Sequence, residues 1–235
     1  MTRRFALVVV LFLTVISGAA PKPFEPTERY ETREIQGWTI RVNKSLVKDN
    51  PDLSSKTLAL LDHQLYQVTH KLPADAVADL RKVVIWVEEN EPHHPCMAYH
   101  PDAGWLREHD MNPEKARCVE VANAKNFLSW TKEQPWMVLH ELAHAYHHQF
   151  LDKGFQNPKV AGAFHESMKA KRYEKVLHHD GKTVKAYAAT NPMEYFAEAT
   201  EAFFGANDFY PFVRAELKSH DSAMDSLLTT LWGAK

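Results

Sequence analysis

Hydrophobic and polar positions alternate in "WTIRVNKSL": Trp38, Ile40 and Val42 take one side and polar residues the other. That period of two predicts a strand with one buried face, and "REIQ" ahead of Gly37 is its predicted hairpin partner. The period then lengthens. Leu58, Leu61, Leu65, Val68 and Leu72 fall on one stripe of a helix, with Ser54 or Ser55 as its cap and Pro73 as its stop. "KVVIWVEE", residues 82–89, is continuously apolar and β-branched at its centre, which predicts a strand buried on both faces. Residues 90 to about 123 are broken by Pro92, Pro95, Pro101, Gly104 and Pro113 and read as loop-rich.

The second half is helical. Thr131 with Gln134 reads as a capping box and Pro135 suits a first turn. Trp136, Met137, Val138, Leu139 and Leu142 then surround the helix with apolar side chains, so it is predicted to be central. "NPKVAGAFHESMKAK" and "NPMEYFAEATEAFFG" are further helices, and between them "RYEKVLHHDGKTVKAYA" predicts a hairpin turning at Asp180-Gly181. Short helices near "FVRAELKSHD" and "SAMDSLLTTLW" finish the chain. Strands early and helices late, without repeats or an evident linker, predict a single α+β domain over residues 21–235.

Composition changes this picture little, except at the start. A chain of 235 residues with 45% hydrophobic and 25% charged residues is an ordinary globular protein. Its formal charge of −2 gives no electrostatic case for nucleic acid or an anionic membrane. "MTRRFALVVVLFLTVISGAA", residues 1–20, pairs a basic start with an apolar run and a small-residue exit. This is the layout of a cleavable signal peptide and predicts a secreted or periplasmic protein with no stable membrane insertion after cleavage. In that compartment Cys96 and Cys118 are expected to form a disulfide, with two free buried thiols as the plainer alternative. The nearby His93 and His94 offer a weaker Cys-His metal reading, since no C-x-x-C is present.

The chemistry is concentrated in "HELAH". His140 and His144 lie four apart, which on a helix is about 40° around and ~6 Å along the axis. Two imidazoles so placed converge on one tetrahedral ion, with Glu141 beside them to take a proton from a bound water. A buried helix with hydrogen-bonded histidines is the plainer alternative. A metzincin needs Gly at 147 and His at 150, where this chain has His147 and Phe150. His147 and His148 sit too far along the axis for good ligation and are expected to line or pack the surroundings. Two downstream carboxylates compete for the third position. Glu166 lies among Lys169, Lys171 and Arg172, which suits a solvated face. Glu194 lies among Tyr195, Phe196 and Phe203, which suits burial beside a cation, with Glu198 one turn on to accept a hydrogen bond from a ligating imidazole.

His140-Glu141-Leu142-Ala143-His144, together with "YAATNPMEYFAEAT" at residues 187–200, resembles the catalytic domain of the anthrax toxin lethal factor and its wider family of secreted zinc metallopeptidases. The shared features are Tyr187, Thr190-Asn191 and the run Glu194-Tyr195-Phe196-Ala197-Glu198. The resemblance covers residues 130 to 205 well and the preceding strand and helix loosely. It implies a zincin-like, gluzincin-type fold: a small mixed sheet in the N-terminal part and a mostly helical C-terminal part around a cleft. It further implies one catalytic zinc held by His140, His144 and Glu194, with Glu141 as general base. Tyr187 would be the phenol that meets the oxyanion or the leaving amine, and Glu198 the acceptor behind a ligand. A peptide or protein substrate is expected; the strand at residues 83–87 is read either as a cleft wall for pairing with it or as a structural strand with no substrate role. The rival expectation is an exported zinc- or peptide-binding protein of the same fold without turnover.

Overall fold

The computed structural model describes residues 24–234, and the signal peptide expected over residues 1–20 lies outside them. Tyr30–Ile35 (β1) and Trp38–Asn43 (β2) form the predicted hairpin, paired from Tyr30↔Asn43 to Ile35↔Trp38. Its two-residue turn has positive φ at both positions, 52° at Gln36 and 85° at Gly37. That is the twist-matched turn for which glycine is preferred. Trp38, Ile40 and Val42 are fully buried, as their alternation predicts.

Asn43 caps the short helix Lys44–Asp49 (α1), its side chain accepting from the Ser45 amide at 2.8 Å. The next helix, Pro51–Lys71 (α2), begins earlier than the serines suggest, because Pro51 occupies its first turn. Ser54 is consequently a buried position inside the helix. Its apolar stripe faces the core, and the chain turns extended at Leu72 before Pro73, where the proline ring disfavours helix. Ala74–Leu80 (α3) leads to Ile85–Val87 (β3), which runs parallel to β2 and is fully buried on both faces.

The segment expected as loop-rich contains two strands, Met97–His100 (β4) and Cys118–Val121 (β5), with the helix Ala103–Glu108 (α4) between them. β5 lies parallel to β3, and β4 lies antiparallel to β5. The five-stranded order is β1-β2-β3-β5-β4, a mixed sheet in the N-terminal part of an α+β fold. These strands escape a periodicity reading because they are only four residues long and carry a fully buried acid, Glu120. Lys115 and His100 neutralise that acid. The His100 Nε2 stands 2.6 Å from Glu120, and Lys115 bonds both Glu120 and Glu88, the latter at 2.7 Å.

The expected disulfide is not formed: Cys96 and Cys118 are free, buried thiols. The β4–β5 register explains why. Cys118 pairs with His100 at one end of the ladder, while the Cys96 carbonyl accepts from the Ala122 amide at the other end, at 2.7 Å. Four residues of strand separate them, about 14 Å at ~3.4 Å per residue, whereas a disulfide needs Cα atoms within roughly 7 Å. Cys96 donates instead to the Met137 sulfur at 3.3 Å.

Ala124–Trp130 (α5) precedes the central helix Met137–Phe150 (α6), in which Val138, Leu139, Leu142, Ala143 and Ala145 are fully buried. The expected capping box does not form. Thr131 closes α5 instead, its hydroxyl donating to the Phe127 carbonyl at 2.6 Å, and Trp136 precedes α6 without a side-chain cap. Pro158–Lys169 (α7) is capped by Asn157. Val176–Leu177 (β6) and Thr183–Val184 (β7) form the predicted hairpin, with Gly181 at φ 85° in its turn. Pro192–Phe204 (α8), Arg214–His220 (α9) and Ser222–Leu231 (α10) complete the chain. Gly205, just past α8, meets the Trp136 ring at the start of α6 so closely that a Cβ there would fall 2.0 Å from Trp136 Cε2. Since α8 begins near His144 and ends at Trp136, the two helices pack antiparallel. Among the described residues no helix is long and apolar enough to cross a membrane.

Candidate metal centre

Antiparallel packing of α6 and α8 brings the first turn of α8 onto the histidine face of α6. The Nε2 atoms of His140 and His144 are 3.1 Å apart, and Glu194 Oε2 lies 3.1 Å from the first and 3.2 Å from the second. Asn191 sets this register from the cap of α8, its side chain accepting from the backbone amides of Met193 and Glu194 at 2.9 Å each. A tetrahedral ion about 2.0–2.1 Å from each donor requires donors roughly 3.3–3.4 Å apart, so the three atoms fit one ion. Glu166, the competing carboxylate, is exposed on α7 and takes no part.

Burial opposes charge on both sides of this cluster, and the contacts outweigh it. His140 is held protonated well above the ordinary histidine range by the carboxylates of Glu194 and Glu201. Glu194 is held well below the usual carboxylate range by hydrogen bonds from His140 and His144. Three donor atoms facing one point, two imidazoles and a carboxylate, are the ligand types of a zinc-class cation, and loading one would displace the His140 proton.

Behind the cluster the sequence reading and the structure part. Glu198, the expected acceptor, stands 3.8 Å from His140 Nδ1 and accepts from Asn207 Nδ2 at 3.2 Å. Glu201 is the nearer partner, at 2.7 Å from His140 Nδ1. Burial and the neighbouring Glu201 charge push the Glu198 acid well up, so it stays neutral and leaves Glu201 to face the imidazole. Glu201 is itself raised by burial, against the pull of His140. A signal for it exists in the sequence: Glu194, Glu198 and Glu201 follow the 0, 4, 7 spacing of one helix face.

The three-donor cluster opens into a cleft of about 470 Å³ that also takes in Glu141, Tyr187 and residues of β4. Tyr187 is about half exposed on a one-turn 3-10 helix, its ring stacked on His140 at 6.4 Å between centroids. The wall of the cleft is not the strand at residues 83–87, since β3 is paired on both sides by β2 and β5. β4 lines it instead, and β4 is an edge strand of the sheet. His147 and His148 are packing residues: His147 is fully buried between Phe155 and Phe196, and His148 bonds the Tyr99 hydroxyl at 2.7 Å and stacks on Phe155.

Compared with protein-family models, with curated proteins and with solved structures, the chain finds no match.

Proposed function

We propose that the chain is a zincin-like, zinc-dependent metallopeptidase, expected from its leader to act outside the cytoplasm. The observation that carries this reading is the three-donor cluster of His140, His144 and Glu194 with its 3.1–3.2 Å edges, sharing one cleft with Glu141 and Tyr187. Zinc held by those donors supplies Lewis acidity and lowers the pKa of a bound water toward ~7. Glu141, on the turn between the two histidines, takes the proton from the attacking water and returns it to the leaving amine. Burial and the Glu194 charge push the Tyr187 phenol up, so it stays protonated and donates to the developing oxyanion. The free edge of β4 offers backbone donors and acceptors to an extended peptide, with Met97, Ala98 and Tyr99 along the cleft.

Glu141→Gln tests the reading. Cleavage of a quenched peptide library by the wild type is expected to stop on chelation. The variant is expected to lose roughly 10²–10⁴-fold of the rate while binding zinc as tightly. Equal turnover by the two proteins removes Glu141 as base. Zinc binding by both without cleavage favours the binding protein without turnover.

A further inference from the structure

A second cluster of metal-ligating side chains lies outside this cleft, where the β6–β7 hairpin meets the segment after α8. His178, His179 and Asp208 each present one ligand atom within 4.8 Å of the others. They line a cavity of about 150 Å³ with Trp130, Glu133 and Gln134. We propose that this cluster is a second cation site, for a divalent ion of the zinc class, that fastens the hairpin to the rim of the catalytic cleft.

Backbone pairing already holds the donors in place. The His179 amide donates to the Asp208 carbonyl and the Tyr210 amide to the Leu177 carbonyl, each at 2.8 Å, and His178 bridges Phe209. Asp180 sits 2.9 Å from His178 Nδ1, which leaves Nε2 turned toward Asp208 Oδ2 at 3.6 Å. A carboxylate behind one ring nitrogen and an open second nitrogen is how ligating histidines are oriented. Glu133 Oε2, 3.8 Å from His179 Nε2, offers a fourth donor from the turn between α5 and α6.

Asp208 shows what the cluster lacks. It is 5% exposed, and its carboxylate accepts from a neutral donor, Gln134 Nε2 at 3.2 Å. A buried carboxylate without a full cationic partner is costly, and a cation among two imidazoles and two carboxylates removes that cost. Imidazole-rich sets of this kind favour zinc, copper or nickel over magnesium or calcium. The ion would join three segments, one of which continues through β7 to Tyr187, while Trp130 and Gln134 border both cavities. The two sites share no ligand, so this one does not depend on peptide hydrolysis.

Zinc titration of the purified chain against a chromophoric chelator tests it, in wild type, H178A/H179A and H140A/H144A. Two ions are expected in the wild type and one in each double variant. If the first site fails, one ion in the wild type and none in H178A/H179A still supports the second. D208N, which preserves shape, guards against misfolding: in the H140A/H144A background it is expected to weaken zinc at least tenfold and abolish the zinc-induced rise in melting temperature. Unchanged stoichiometry and affinity in H178A/H179A overturns the proposal, as does a melting temperature in H140A/H144A that zinc does not move.

Discussion

Replacing His147 with phenylalanine will flatten the dependence of stability on pH below neutrality. The ring is fully buried, edge-on to Phe155 at 5.3 Å and tilted on Phe196 at 4.9 Å, and neither nitrogen has a hydrogen-bond partner. Burial first, then the neighbouring His144 and His148, lowers its pKa from 6.5 to about 4. An unfolded chain protonates this imidazole below about 6.5, whereas the folded chain keeps it neutral down to about 4. The folded state therefore binds fewer protons within that window. Its stability is intact above the window, falls as pH drops through it, and levels off below about 4. At about 1.4 kcal/mol per pH unit the full loss is about 3 kcal/mol, and about 2.5 kcal/mol of it has occurred by about pH 4.5. Urea denaturation of both proteins at about pH 8 and 4.5, in chelator, reads this as the difference between their pH responses. The offset at pH 8 is less telling, since relief of two unpaired nitrogens (about 1–3 kcal/mol) opposes overpacking of similar size. Parallel pH profiles would show that His147 titrates normally and refute the reasoning.

Other perturbations follow from the same contacts. Glu201→Ala is expected to weaken zinc binding about 10–100-fold, and Glu198→Ala distinctly less, in a chelator competition; the reverse order would restore Glu198 as the acceptor behind His140. Lys115→Met leaves the buried acid Glu88 without a cation and Glu120 with His100 alone, and is expected to cost about 3–5 kcal/mol in denaturant titration at neutral pH. Both cysteines are expected to react with a thiol reagent in the denatured, unreduced chain. Reaction in the native chain is expected to be slow, because burial raises the Cys96 thiol to about 12. A denatured chain with no reactive thiol would restore the disulfide.

Short-range pattern was enough for elements whose burial follows a period. The alternation around Trp38 and the stripe from Leu58 to Leu72 both face the core, and His140-Glu141-Leu142-Ala143-His144 lies on a buried helix. Four-residue strands gave no such period. β5 hides Glu120 at a position that reads as solvent-facing, and only the partners that folding brings against it, Lys115 and His100, make that burial affordable.

The sequence by itself determined the histidine spacing on α6 and the spacing of Glu194 and Glu198 on α8, because each depends on helix geometry within a few residues. Tertiary structure decided the rest. Antiparallel packing of α6 and α8 brings Glu194, already favoured over Glu166 by its apolar neighbours in the sequence, onto both histidines and places Glu201 closer than Glu198 to His140. Strand register parts the two cysteines and leaves β4, not β3, at the open edge of the cleft. These outcomes rest on which elements become neighbours, and that is set by the burial of the whole chain rather than by any local run of it.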